Sequence, residues 1–221
     1  MSSPRIWDQL PTIDTVEQLE VFGRPDEVAR DKVETHLDDV HREWIAACPL
    51  VFVGTASPDG RCDVSPKGDP PGFVKVLDEW TLAIPERAGN RRMDGHHNLL
   101  ENPHVGLLLV IPGRADTLRI NGSARLVTDG PFFRDMVVRG HRPSLALVVD
   151  VEEVFFHCPK AFVRAHAWQP DRWHPEAARS YGHIAKALWR RGEDLEQIEA
   201  RLTPEAIEAQ LYPAPSRGVV D

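Results

Sequence analysis

The chain lacks most features that mark specialised protein classes. It has only three cysteines in 221 residues, Cys48, Cys62 and Cys158. They are widely spaced and odd in number, so no disulfide framework is expected and a reducing compartment is the simpler reading. None forms a C-x-x-C pair, which removes the commonest zinc signature. Basic charge is in deficit: 26 Lys and Arg against 34 Asp and Glu give a formal net charge of −8. A nucleic-acid partner would require a basic face to neutralise phosphates, so none is expected. Long apolar runs are absent too. The longest, Val105 to Ile111, is interrupted by Gly106 and is far too short to span a bilayer. Met1 to Leu10 holds Arg5 and Asp8 and no apolar stretch, so no signal peptide is expected and the expected location is cytoplasmic. No G-x-G-x-x-G opens a helix, which disfavours a doubly wound dinucleotide-binding sheet.

What is present is an ordinary apolar fraction of 42%, enough for a real core. Residues 1–23 read as an arm of little periodicity. Pro25 suits the first turn of a helix, and Val28, Val33, Leu37, Val40 and Trp44 recur at helical spacing, predicting one helix stopped by Pro49. A β-rich middle follows. Leu50 to Ala56 reads as a strand, Ser57-Pro58-Asp59-Gly60 as its turn, and Arg61 to Ser65 as the returning strand. Phe73 to Leu77 and Trp80 to Ile84 predict a second hairpin around Asp78-Glu79. A short helix is expected from Asn90 to Glu101, with Met93, His97 and Leu100 facing inward. Strands are expected over Val105 to Ile111 and Thr117 to Val127, with Gly122 marking a bulge or a close backbone approach. Pro131 to Arg139 reads as helical, and Leu145 to Phe156 as a long strand bent near Glu152-Glu153. Helices opened by Pro175, reaching Trp189, and by Thr203-Pro204-Glu205 complete the chain. This order predicts an α+β fold: a small antiparallel barrel with flanking N- and C-terminal helices. The divisions are 1–48 for an arm and helix, 49–168 for the barrel and 169–221 for a helical extension.

Two clusters carry chemistry. Ser65-Pro66-Lys67-Gly68-Asp69-Pro70-Pro71-Gly72 is a rigid loop at a strand end, where Lys67 and free glycine amides could meet an anion, or simply form a polar turn. Arg87-Ala88-Gly89-Asn90-Arg91-Arg92 puts two arginines at a predicted helix start. They are unfavourable at the positive end of a helix dipole unless an anion is present, so they either suit a phosphate or simply form a solvated face. His96, His97, His104 and His157-Cys158 have no recognised ligand spacing, so no metal is expected.

The order of these pieces resembles the pyridoxamine 5′-phosphate oxidase-related FMN-binding proteins. The resemblance rests on Ser65-Pro66-Lys67-Gly68, Gly72-Phe73-Val74-Lys75-Val76, Gly89-Asn90-Arg91-Arg92, Glu101-Asn102-Pro103 before an apolar strand, and Arg119-Ile120-Asn121-Gly122. His157-Cys158-Pro159-Lys160-Ala161-Phe162-Val163-Arg164 resembles the C-terminal signature of one branch. It implies an FMN-binding split β-barrel of six or so strands, and a homodimer with FMN at the subunit interface. By the same resemblance Arg91 and Arg92, with Asn90, would grip the FMN phosphate. Phe73, Val74, Lys75 and Val76 would hold the ribityl and ring region, Ser65 and Lys67 would also contact the cofactor, and Arg119 would lie near the flavin. Lys160, Arg164 and Trp168 would complete the site of the second subunit. The expected function is an FMN-dependent oxidoreductase using a small-molecule electron donor or substrate. The C-terminal Arg-x-His of true pyridoxamine phosphate oxidases is missing, as is a Tyr-x-x-x-Arg-x-x-x-Ser set between Phe132 and Leu147, so vitamin B6 phosphate is not the expected substrate. The alternatives are a flavin-binding or redox-sensing module without turnover, and a split barrel holding F420 or haem, with His157 the nominal axial ligand.

Overall fold

A computed structural model describes residues 5–212; the ends of the expected arm and extension, 1–4 and 213–221, lie outside it. Two compact units divide between Val33 and Glu34. The first holds a 3-10 turn, Ile6–Gln9, and two single-turn helices, α1 (Val16–Glu20) and α2 (Glu27–Asp31). Thr15 and Asp26 cap α1 and α2 by accepting from the amides of Gln18 and Ala29.

The second unit begins with α3 (Asp39–Ala47). The single helix expected from Pro25 to Pro49 is therefore two helices with a break. The intervening backbone is committed elsewhere. Glu34 exchanges both backbone hydrogen bonds with Val154, and the Leu37 amide donates to the Glu79 carbonyl at 2.7 Å. A helix through 34–37 would forfeit those bonds. Asp38 then restarts the chain, its amide donating to His41 Nδ1 at 3.2 Å.

The strands are β1 (Leu50–Ala56), β2 (Cys62–Gly68), β3 (Lys75–Val76), β4 (Thr81–Pro85), β5 (His104–Val110), β6 (Thr117–Val127) and β7 (Ala146–His157). Each described pairing is antiparallel, in the order β2-β1-β5-β6-β7-β4-β3. The fold is α+β, and its seven-stranded sheet is not closed by backbone pairing: β2 and β3 are its two edges. One face carries the core. Val51 and Val53 of β1, Leu82 and Ile84 of β4, Leu107 and Leu109 of β5, Leu118 and Ile120 of β6 and Val149 of β7 are all buried against Leu37 and Ile45. In β1 and β5 they alternate with less buried neighbours, the period-two pattern of strands with one buried face, whereas β4 is buried on both faces.

Gly122 behaves as its place in the sequence suggests. The β6–β7 register slips there, Asn121 facing Glu153 while Gly122 faces Val151, so Glu152 is an extra residue on β7. A Cβ on Gly122 would lie 2.0 Å from the Asp150 carbonyl oxygen, a distance no side chain tolerates. The second hairpin forms, but β3 is only two residues long. Phe73 and Val74 are both buried but precede the paired residues Lys75 and Val76, so they pack into the core from outside the ladder.

Helix α4 (Asp94–Glu101) starts four residues later than expected and faces the other way. Leu99 is its buried residue, whereas Leu100 is exposed. Gly95 sets this phase: a Cβ there would meet Asp63 Oδ2 at 3.0 Å and Thr55 Oγ1 at 3.3 Å. The Asn98 side chain donates to Thr55 Oγ1 at 3.1 Å. Polar contacts to β1 and β2, not an apolar stripe, decide which face turns inward.

Residues 131–139 give a 3-10 turn, Pro131–Met136, and then a tight reversal in which Val138 pairs with His141. Arg139 and Gly140 both take positive φ there (49° and 81°), the geometry of a type I′ turn. After β7 come α5 (Lys160–Arg164), α6 (Tyr181–Leu188), α7 (Leu195–Ala200) and α8 (Pro204–Leu211). Helix α6 begins after Ser180, whose Oγ accepts from the His183 amide, so Pro175 opens only a 3-10 turn. Among the described residues no helix is long and apolar enough to cross a membrane.

Candidate functional site

The β2 edge and the end of β4, beyond its short pairing with β3, approach each other through side chains. Asp63, Ser65 and Lys67 of β2 pair with Thr55, Val53 and Val51 of β1, so they share the inner face. Polar residues on that face need partners. The Lys67 ammonium donates to the carboxylate of Glu86, the residue after β4, and His96 Nε2 on α4 lies 3.2 Å from the same oxygen. All three side chains are largely shielded from solvent. One step further along both segments, Arg87 Nε donates to Asp69 Oδ2 at 2.5 Å, and the Asp69 side chain is 1% exposed. The rest of that guanidinium is used as well, donating to the carbonyls of Met136 at 2.7 Å and His141 at 3.3 Å. Two ion pairs thus join β2 to the end of β4, a seam where no backbone ladder exists among the described residues.

Burial alone would raise the carboxyl of Glu86. Hydrogen bonds from His96 and Lys67, with their charges, outweigh it and hold Glu86 below its usual value of 4.5. The segment leaving the seam carries the other expected anion ligands. Asn90 Oδ1 accepts from the Arg92 amide at 3.0 Å, and Arg92 Nε donates to Asp94 Oδ2 at 2.5 Å. The Arg92 guanidinium is held charged by that bond, with a smaller contribution from Asp63. Arg91 and Met93 adopt left-handed backbone, φ 60° and 59°. Met93 occupies the N-cap of α4 without a side-chain hydrogen bond, so the first amides of this helix have no capping oxygen. Among the described residues Arg91 forms no ion pair.

The expected site residues are therefore not all together. Ser65 and Lys67 line the seam, and Asn90, Arg91 and Arg92 lead from it into α4. Phe73 and Val74 are committed to the core, and Lys75 Nζ donates to the Gly72 carbonyl at 2.7 Å. Arg119 lies on the opposite, outer face of the sheet, donating to Asn121 Oδ1 at 3.3 Å with its guanidinium over the Phe155 ring. There it borders a groove of about 490 Å³ floored by Gly54 and Gly106. Lys160 and Arg164 stand on exposed α5. Glu86, its pairing with His96 and the Asp69–Arg87 pair were not singled out by the sequence, in which His96 reads only as a candidate metal ligand. Their signal is three-dimensional, since no local rule pairs residues 18 or 19 positions apart on unpaired strands. Among the described residues no three His, Cys, Asp or Glu gather as a metal site.

The chain is thus an α+β protein with an open antiparallel sheet and a polar, ion-paired seam beside an uncapped helix start. The profile of the family described as pyridoxamine 5′-phosphate oxidase matches residues 37–158, more than half the chain, and the chain belongs to that family. No curated protein matches it. Among solved structures it is similar to HupZ of group A Streptococcus, with 21% identity over 54% of this chain and 93% of that one, TM-score 0.43. An FMN-binding protein from Syntrophomonas wolfei matches at 11% identity over 64% and 92% of the two chains, TM-score 0.41. The haem storage protein HutZ from Vibrio cholerae matches at 15% identity over 55% and 93%, TM-score 0.38.

Proposed function

We propose that the protein is an FMN-binding oxidoreductase whose cofactor phosphate sits at the start of α4. The observation that carries this reading is the uncapped α4 N-terminus with Arg91 and Arg92 leading into it, in a chain of this family. Unpaired amides and a helix dipole favour an anion, and two guanidiniums supply bidentate donors. Arg91 is the freer of the two, because Arg92 already donates to Asp94. The donor set fits a phosphate monoester.

When bound, FMN supplies hydride and electron transfer, and the chain supplies grip and orientation. Arg91, Arg92 and Asn90 hold the phosphate end. Ser65 and Lys67 face the space between β2 and α4, while Phe73, Val74 and Lys75 offer backbone groups, their side chains being already engaged. The Lys67–Glu86–His96 cluster keeps a fixed charge pattern at that end. A second copy would cover the outer groove and bring Arg119, Lys160 and Arg164 toward the shared site. The sedimentation behaviour at micromolar concentration tests this, and a monomer would remove the shared-site arrangement.

The central test is the visible spectrum of the freshly purified protein, with mass spectrometry of the small molecule it releases. Oxidised-flavin bands and released FMN are expected. Haem or deazaflavin bands would reassign the ligand, and a colourless protein that does not take up added FMN would overturn the reading. Reduction of the bound flavin by NADH or NADPH separates an enzyme from a binding module.

A further inference from the structure

The last described residue, Tyr212, closes over the seam. Its hydroxyl donates to Asp69 Oδ1, so the buried Asp69 carboxylate is held by Arg87 on one oxygen and by the chain's tail on the other. The Tyr212 ring lies near two guanidiniums, with Arg139 Cζ 5.4 Å and Arg87 Cζ 6.0 Å from its centroid, and beside the His141 ring at 5.7 Å. Arg139 also pairs with Glu208 of α8 at 3.2 Å, so the tail is gripped from a second direction. The arrangement is built rather than incidental: an almost fully buried carboxylate, a donor from residue 212 and two cations within cation–π range of one ring. Burial first, and then the bond to Asp69, push the Tyr212 phenol above its usual value of 10, so the hydroxyl remains a donor at neutral pH.

We propose that Tyr212 is a positioning residue: through Asp69 and Arg87 it fixes the segment 86–93, and so sets how long a phosphate ligand stays on Arg91, Arg92 and the start of α4. The latch itself depends only on the contacts above; its effect on the ligand rests on the FMN reading. Arg87 lies four residues before Arg91 in that segment. Freed from Asp69, it no longer anchors the segment on the β2 side. The helical extension would then serve the site from its far end.

The test uses the full chain, first stripped of any flavin, with hydrogen exchange measured across the sequence for wild type, Tyr212→Phe, Tyr212→Ala and Arg139→Ala. Circular dichroism confirms that each variant is folded. Tyr212→Ala should speed exchange in 86–93 by ~10-fold, the loss of a hydrogen bond to a charged group, and leave β5 and β6 unchanged. Tyr212→Phe keeps the ring beside the guanidiniums and should give a smaller rise, as should Arg139→Ala, which loosens the tail while leaving the Asp69–Arg87 pair in place. The FMN dissociation rate should rise in the same order. Faster exchange in α8 with no change in 86–93 would overturn the proposal, since the tail would then have released without consequence. If exchange responds as expected but the wild type binds no FMN, the latch stands and the flavin reading falls.

Discussion

The β6–β7 pair and the β2–β4 seam solve the same problem, holding two long segments together, by opposite means. Along β6 and β7 a backbone ladder runs from Thr117–His157 to Val127–Ala146, interrupted only at the Gly122 bulge, with inward residues such as Leu118, Ile120, Val149 and Val154 fully buried. At the seam no ladder forms, and Lys67–Glu86 and Asp69–Arg87 carry the connection. The first solution depends on shape and tolerates no extra atom. The second depends on charge, with Lys67 and Arg87 largely shielded and paired beside the uncapped start of α4. A barrel left split at one place therefore combines a rigid frame with a polar opening, and a site needs both.

The largest expected effect strikes the frame. Gly122→Val puts side-chain atoms where the Asp150 carbonyl already sits. Because that obstacle is backbone in a paired strand, relief requires breaking the β6–β7 register, at a cost of ~3 kcal/mol or more. Expression should fall mostly insoluble, or chemical denaturation should show a stability loss of that size. Unchanged stability would mean that the bulge is not rigid.

Next comes the seam's buried pair. Asp69→Ala leaves the Arg87 guanidinium largely buried with only the Met136 and His141 carbonyls as partners. Breaking one side of a buried pair costs ~3 kcal/mol, at the low end because those carbonyls remain. Asp69→Ala with Arg87→Met should recover part of that loss. A double variant as unstable as the single one would show that the pair is not the source of the effect.

These two regions also differ in how far the sequence reveals them. The frame obeys local rules. Strand alternation, the Ser57–Gly60 turn and an isolated glycine in a strand pattern are visible residue by residue, and all appear where expected. The seam obeys no local rule. Asp69 meets a donor 143 positions away, and Glu86 is bridged by residues from two other elements. The phase of α4 was equally hidden, because a glycine against Thr55 and Asp63 orients it where Met93, His97 and Leu100 looked like the apolar stripe. Arg91 and Arg92 stand out in the sequence because a positive charge at a helix start is locally unfavourable. They do lie just before α4, while the phosphate they would hold belongs to the proposed function. Their neighbours in the seam carry no such signature, and Arg119 reads as a site residue while sitting on the other face.

A smaller effect should separate ligand grip from stability. Arg91→Ala and Arg92→Ala each remove an exposed guanidinium, so denaturation midpoints should stay close to wild type. Retention of FMN should nonetheless weaken by ~10-fold, with Arg91 the larger because it shares no carboxylate. Unchanged FMN affinity in both variants would remove the phosphate assignment while leaving the frame and seam as described.

The smallest effect is a difference in acid sensitivity between the regions. Glu86 is held below 4.5 in the folded chain, against burial, by His96 and Lys67. A depressed carboxyl contributes stability that is complete above its unfolded value and is lost as pH falls through the folded one. The wild type should therefore lose stability below pH 4.5 more steeply than Glu86→Gln, which has no proton to take up. His41, beside the frame, titrates earlier. Burial lowers it most, the nearby charge of His36 lowers it further, and Asp38 and Glu34 oppose both. Stability should therefore begin to fall as pH drops below 6.5, because the unfolded chain takes up that proton first. His41→Gln should flatten this upper part of the curve and leave the part below 4.5 intact, and Glu86→Gln should do the reverse. Measured by chemical denaturation across pH 3.5 to 7.5, two variants flattening the same part would mean that frame and seam do not respond to acid separately.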